Sequence, residues 1–118
     1  MTRAFNMLPL QASALVSCAL MMFAVADIAR AAPAPAPAAV QIANFTFKSP
    51  VVTVKPGATV TWTNGEDIPH TVVSRDGLFR SKVLDTGDRF SFTFVKPGQF
   101  GYFCSLHPHM TGMIIVKA

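Results

Sequence analysis

The sequence predicts an all-β domain of the sandwich or barrel kind, and three observations predict it. From Val40 onward no stretch repeats its apolar residues at helical spacing. Short runs of alternating or β-branched residues follow one another instead, separated by Pro-Gly, Asn-Gly, Asp-Gly and Thr-Gly pairs. Such pairs supply the tight turns between strands, and several short strands at this spacing close up as a sandwich or barrel.

The elements follow in order. Val40 to Phe47 and Val51 to Val54 are the first two strands, split by Lys48-Ser49-Pro50. Lys55-Pro56-Gly57 turns the chain into Ala58 to Thr63, where Val60 and Trp62 share one face and Thr59, Thr61 and Thr63 the other. His70 to Ser74 is a fourth run. Arg89 to Phe94 alternates most clearly, with Phe90, Phe92 and Phe94 facing inward. Pro97-Gly98 leads into Gln99 to Cys104, and Gly112 to Lys117 closes the chain. Eight phenylalanines and one tryptophan beyond residue 31 give this small domain a dense core.

The 118 residues suffice for one domain and no second core. The beginning of the chain reads as something other than folded structure. Met1 to Met7 carries Arg3 and no acid, Leu8 to Ala26 is almost wholly apolar, and Ala29-Arg30-Ala31 follows. A basic start, an apolar middle and an A-x-A site predict a secretory signal peptide over residues 1–31, cleaved after Ala31, with Ala24-Val25-Ala26 as a second candidate site. A retained membrane anchor is the competing reading, against which Gln11, Ser13 and Ser17 interrupt the apolar run. Residues 32–39, Ala-Pro-Ala-Pro-Ala-Pro-Ala-Ala, predict an extended spacer. The folded domain is then 40–118, exported to a bacterial-type periplasm.

Export changes the cysteine count. Cys18 leaves with the signal, so Cys104 is alone and no internal disulfide can form. A lone thiol in an oxidising compartment is a liability unless something occupies its sulfur, and a metal would do so. From Ala32 the chain holds eight basic and five acidic residues, a net charge of +3 with no run of like sign. That balance favours neither nucleic acid nor an anionic membrane surface, and implies no stable membrane association after cleavage.

All three histidines sit at two places. His107 and His109 lie in the loop Cys104-Ser105-Leu106-His107-Pro108-His109-Met110, and His70 follows Asn64-Gly65-Glu66-Asp67-Ile68-Pro69 ahead of a strand. A sandwich gathers loops of distant strands at one end. A thiolate, a thioether and two imidazoles are the donor set that suits copper in both of its oxidation states, whereas zinc would favour more thiolates or a carboxylate. Singly, each residue has an ordinary explanation: a buried thiol, a surface histidine, a gap-filling methionine. Cys-x-x-His-x-x-Met directly before a terminal strand, with an upstream Pro-His, is specific.

From Val40 to the end the chain resembles the cupredoxin (blue copper) family, and within it the amicyanin-like and plastocyanin-like members. Val51-Val52-Thr53-Val54-Lys55-Pro56-Gly57, Val60-Thr61-Trp62-Thr63-Asn64, Pro69-His70 and Gly101-Tyr102-Phe103-Cys104 through Met110 carry the likeness. The two-residue gap between His107 and Met110 is similar to amicyanin. The resemblance implies a Greek-key β-sandwich and one copper ion, with His70, Cys104 and His107 as strong ligands and Met110 as the weak axial one. Met113, in the last strand, is the other axial candidate.

The sequence also departs from the family pattern. Thr71 stands where many relatives carry an asparagine that braces the cysteine loop, so a weaker brace is expected. Phe100 replaces a customary tyrosine, and Tyr102 need not substitute for it. His109 stands where amicyanins have phenylalanine and reads as an exposed neighbour of the site. Glu66, or another group in that loop, is the candidate for orienting His70. Pro69, Pro108 and Met110 are expected to form an apolar patch around His107. The implied function is single-electron shuttling between redox protein partners, by a monomer in transient encounters. Copper storage or delivery through the same ligands is the alternative. An enzyme is disfavoured, since a second copper site would need more histidines than His109 alone.

Overall fold

A computed structural model describes residues 33–118, which fold into eight strands with no helix among the described residues. The predicted signal peptide, residues 1–31, lies outside them. The strands are β1 (Ala38–Ala43), β2 (Thr46–Phe47), β3 (Val51–Val54), β4 (Ala58–Asn64), β5 (Val73–Ser74), β6 (Arg89–Phe94), β7 (Gly98–Phe103) and β8 (Thr111–Val116). One sheet has the order β2-β1-β4-β6 and the other β3-β8-β7-β5. The pairs β1/β4 and β3/β8 are parallel and the others antiparallel. This is the predicted sandwich.

Alternation decides which faces meet. Along β4, Ala58, Val60, Trp62 and Asn64 are buried while the three threonines between them are half-buried. On the outer face Thr59 and Thr61 pair with Thr93 and Ser91 of β6, each hydroxyl pair at 2.7 Å, which pins the β4/β6 register. Trp62 sits at the centre of the core, its ring 5.3 Å from Tyr102 and 5.7 Å from both Phe79 and Phe90. Phe94 is fully inward as expected, but Phe90 and Phe92 are only partly buried, because β6 is the edge of its sheet.

β4, β7 and β8 differ from the sequence reading by one residue at one or both ends, and three other differences are larger. The run Val40–Phe47 is two strands, since Asn44 and Phe45 each take φ of 52° and reverse the chain between them. β1 starts earlier, at Ala38, because Ala38 and Ala39 pair with Val60 and Thr61. Of His70–Ser74 only Val73 and Ser74 belong to a strand; His70 is held by an isolated bridge to Leu84, N–H to carbonyl in both directions at 3.1 and 2.7 Å.

Candidate metal centre

The ends of β4 and β7, the start of β8 and the loop after Asn64 converge at one end of the sandwich. Asn64 organises that loop. Its side chain is fully buried, donates to the carbonyls of Ile68 and Leu84 at 2.8 and 2.9 Å, and accepts the Glu66 N–H at 3.0 Å. A buried amide satisfied in this way fixes the path of the chain from Gly65 to His70.

His70 is fully buried. Its Nε2 lies 2.6 Å from Oε1 of Glu66, and its Nδ1 lies 3.7 Å from Sγ of Cys104. A carboxylate only accepts, so the proton resides on Nε2 and the Nδ1 lone pair faces the thiol. Glu66 also accepts the N–H groups of Asn44 and Phe45, both at 2.9 Å, through Oε2 and Oε1 respectively. Loss of hydration pushes its carboxyl up. The Phe45 N–H, the bond to and charge of His70, and the Asn44 N–H together outweigh that and hold it below the usual carboxylate value.

The second half of the site is the loop between β7 and β8. Cys104 N–H donates to the Met110 carbonyl at 3.0 Å, Met110 N–H to the His107 carbonyl at 2.9 Å, and His107 N–H to the Cys104 carbonyl at 3.2 Å. Three bonds within seven residues wind the loop tightly. They bring Nδ1 of His107 to 3.7 Å from Sγ of Cys104, with the His107 ring half-buried and Met110 buried beneath the loop. His109 is exposed. Met113 alternates with the core-facing Ile114 on β8 and so points to the outer side of that sheet.

Thr71 ties the two halves together. Its N–H points at Sγ of Cys104 at 3.4 Å, and its hydroxyl accepts the Ser105 N–H at 2.8 Å and pairs with the Ser105 hydroxyl at 2.7 Å. The threonine therefore braces the cysteine loop through its own hydroxyl, with Ser105 as a partner the sequence did not single out. Among the described residues, one group of three donors stands within 4.8 Å of one another: His70, Cys104 and His107. Two imidazole nitrogens and a soft sulfur that accepts one N–H bond fit copper better than a hard cation, which would need oxygen donors.

Sequence reasoning missed two other parts of this end. Phe45, half exposed, sets its ring edge-on to both His70 and His107, with centroids 5.9 and 5.1 Å apart. Leu106 is also half exposed. Phe45 packs on His107, Leu106 and Pro108 flank it in the chain and are exposed, as is Pro69 beside His70, whereas Met110, expected in this patch, is buried, its N–H and carbonyl bonded within the loop.

Comparison with known proteins agrees with this geometry. A family model described as a cupredoxin-like domain matches residues 14–116. The chain is 39% identical over 93 residues to an amicyanin of Paracoccus versutus, covering 74% of this chain and 70% of that one. It is 33% identical to a chloroplastic plastocyanin of Tetradesmus obliquus, over 60% of this chain and 58% of the other. Among solved structures, a reduced tryptophan-to-tyrosine variant of amicyanin matches with TM-score 0.64 and 32% identity, over 67% of this chain and 80% of that one. A purple cupredoxin from Nitrosopumilus maritimus matches with TM-score 0.64 and 34% identity, over 68% and 99%.

Proposed function

Because the chain belongs to the cupredoxin family, we propose that it holds one copper ion and carries single electrons between redox partners. The observation that carries this is the convergence of His70 Nδ1, His107 Nδ1 and Cys104 Sγ, three donors from two distant segments within 4.8 Å. Copper, when bound, supplies one-electron cycling between its two oxidation states. His70, Cys104 and His107 are the strong ligands in this reading, and Met110 the weak thioether donor.

The residues around the donors do the remaining work. Glu66 holds the Nε2 proton of His70, so in the neutral imidazole Nδ1 is the nitrogen left to ligate. Asn64 and Thr71 hold the two loops in one arrangement, which favours small structural change as charge comes and goes. His107 offers a ring edge at the surface, ringed by apolar side chains suited to a short-lived encounter. We read residues 1–31 as a signal for export to the periplasm, followed by the Ala-Pro spacer, and the mature chain as a monomer free of the membrane. We read it as a carrier and not an enzyme, since only His109 remains beyond the proposed ligands.

Voltammetry of the copper-loaded protein tests the carrier role. A single reversible one-electron couple with fast self-exchange supports it. Slow self-exchange together with ready loss of copper to a metal-free acceptor protein points instead to copper delivery.

A further inference from the structure

The turn between β1 and β2 breaks a local rule in a way the fold does not require. Ala43 pairs with Thr46, leaving a two-residue loop of Asn44 and Phe45, both with φ of 52°. Two positive φ values are the signature of a type I′ turn, whose second position strongly favours glycine. A bulky aromatic side chain in that region is strained. Burial does not compensate, since Phe45 remains 46% exposed. What it touches is the edge of the site, with its ring T-shaped against both His70 and His107.

The turn is also fastened to the site. Both of its N–H groups end on the Glu66 carboxylate that accepts from His70. One side chain therefore fixes the position of Phe45 and of the buried imidazole together, and the Phe45 ring stays against both histidines, whose own centroids are 5.0 Å apart. Strain held in place at a functional site, with no gain in core burial, is the pattern expected of a residue kept for what it covers.

We propose that Phe45 is a shield: its ring, packed against His70 and His107, blocks the approach of small exogenous ligands such as azide, halide or free imidazole to the metal centre. This rests on the copper reading of the site, and it adds a residue that touches both ligand rings without ligating. The shield position asks for a large flat side chain and the turn asks for glycine, so the two demands oppose each other.

That opposition makes the test decisive. Phe45→Gly and Phe45→Trp are compared with the unmodified protein, copper-loaded and copper-free. Glycine suits the turn, so Phe45→Gly is expected to resist urea at least as well as the parent. Its metal centre is nonetheless unshielded. Azide at concentrations that leave the parent spectrum unchanged shifts the visible band and widens the copper hyperfine splitting of Phe45→Gly. In the metal-free form Cys104 reacts with an aromatic disulfide reagent at least about tenfold faster than in the parent, and Phe45→Trp restores protection in both assays. A Phe45→Gly protein as closed to azide and as slow at Cys104 as the parent overturns the shield while leaving the copper reading intact. A Phe45→Gly protein markedly less stable than the parent overturns it too, by making Phe45 structural. A parent protein with no intense thiolate-to-copper band overturns the copper reading and the shield with it.

Discussion

Nε2 of His70 meets Oε1 of Glu66 at 2.6 Å, and that contact decides which nitrogen of a fully buried imidazole faces Cys104. The same carboxylate accepts two backbone N–H groups from the turn at Asn44 and Phe45. One acidic side chain thus sets a tautomer and anchors a hairpin.

Removing that carboxylate weakens metal binding. Glu66→Ala leaves His70 free to rotate or change tautomer, and a lost partner of this kind costs about 10–100-fold in metal affinity. Glu66→Gln keeps an acceptor for the imidazole N–H and falls between the two. Competition for Cu(II) with a chelator of known strength ranks all three proteins.

The copper-free protein has a pH dependence of known sign. The folded state holds the Glu66 carboxyl below its ordinary value of 4.5, so the unfolded chain binds the proton more readily. The stabilisation is fully present above that ordinary value and is lost as pH falls through the lower folded value. Urea midpoints of the metal-free chain decline over that acidic range, and Glu66→Gln shows a flatter decline.

Gly112 is fixed by the ring beside it. A Cβ at this position would collide with the ring of Tyr102, whose side chain is fully buried. Gly112→Ala forces Tyr102 out of its place in the core and costs ~1–3 kcal/mol, the range for overpacking. Urea unfolding measures it, and Gly112→Ala combined with Tyr102→Leu recovers part of the loss.

Tying the cysteine loop is the task of the Thr71 hydroxyl. Thr71→Val keeps the shape but leaves the part-buried Ser105 N–H without its acceptor, a loss of about 1 kcal/mol. Thr71→Ser restores the bond. In the copper-loaded protein the visible band of Thr71→Val shifts and broadens, while that of Thr71→Ser stays near the parent.

The sequence carried the strong features because they are local. Trp62 and Val60 alternate with threonines, and Cys104, His107 and Met110 lie within one short loop, so period and spacing revealed them. What escaped it depends on contacts between distant residues. Val40 to Phe47 reads as one strand because its β propensity is continuous; the break at Asn44 and Phe45 is held by Glu66, some twenty positions away. Ala38 and Ala39 look like spacer until β4 supplies partners for them. His70 reads as the start of a strand, but its backbone partner is Leu84, in a stretch with no strand pattern of its own. Ser105 gave no signal, being an ordinary polar loop residue until Thr71 is placed beside it.

The visible absorption and paramagnetic-resonance spectrum of the Cu(II)-loaded protein tests the central claim most directly. His70, Cys104 and His107 acting together predict an intense blue or purple thiolate-to-copper band with a narrow copper hyperfine splitting, both abolished in Cys104→Ser. A pale protein with the wide splitting of ordinary tetragonal copper would contradict the account.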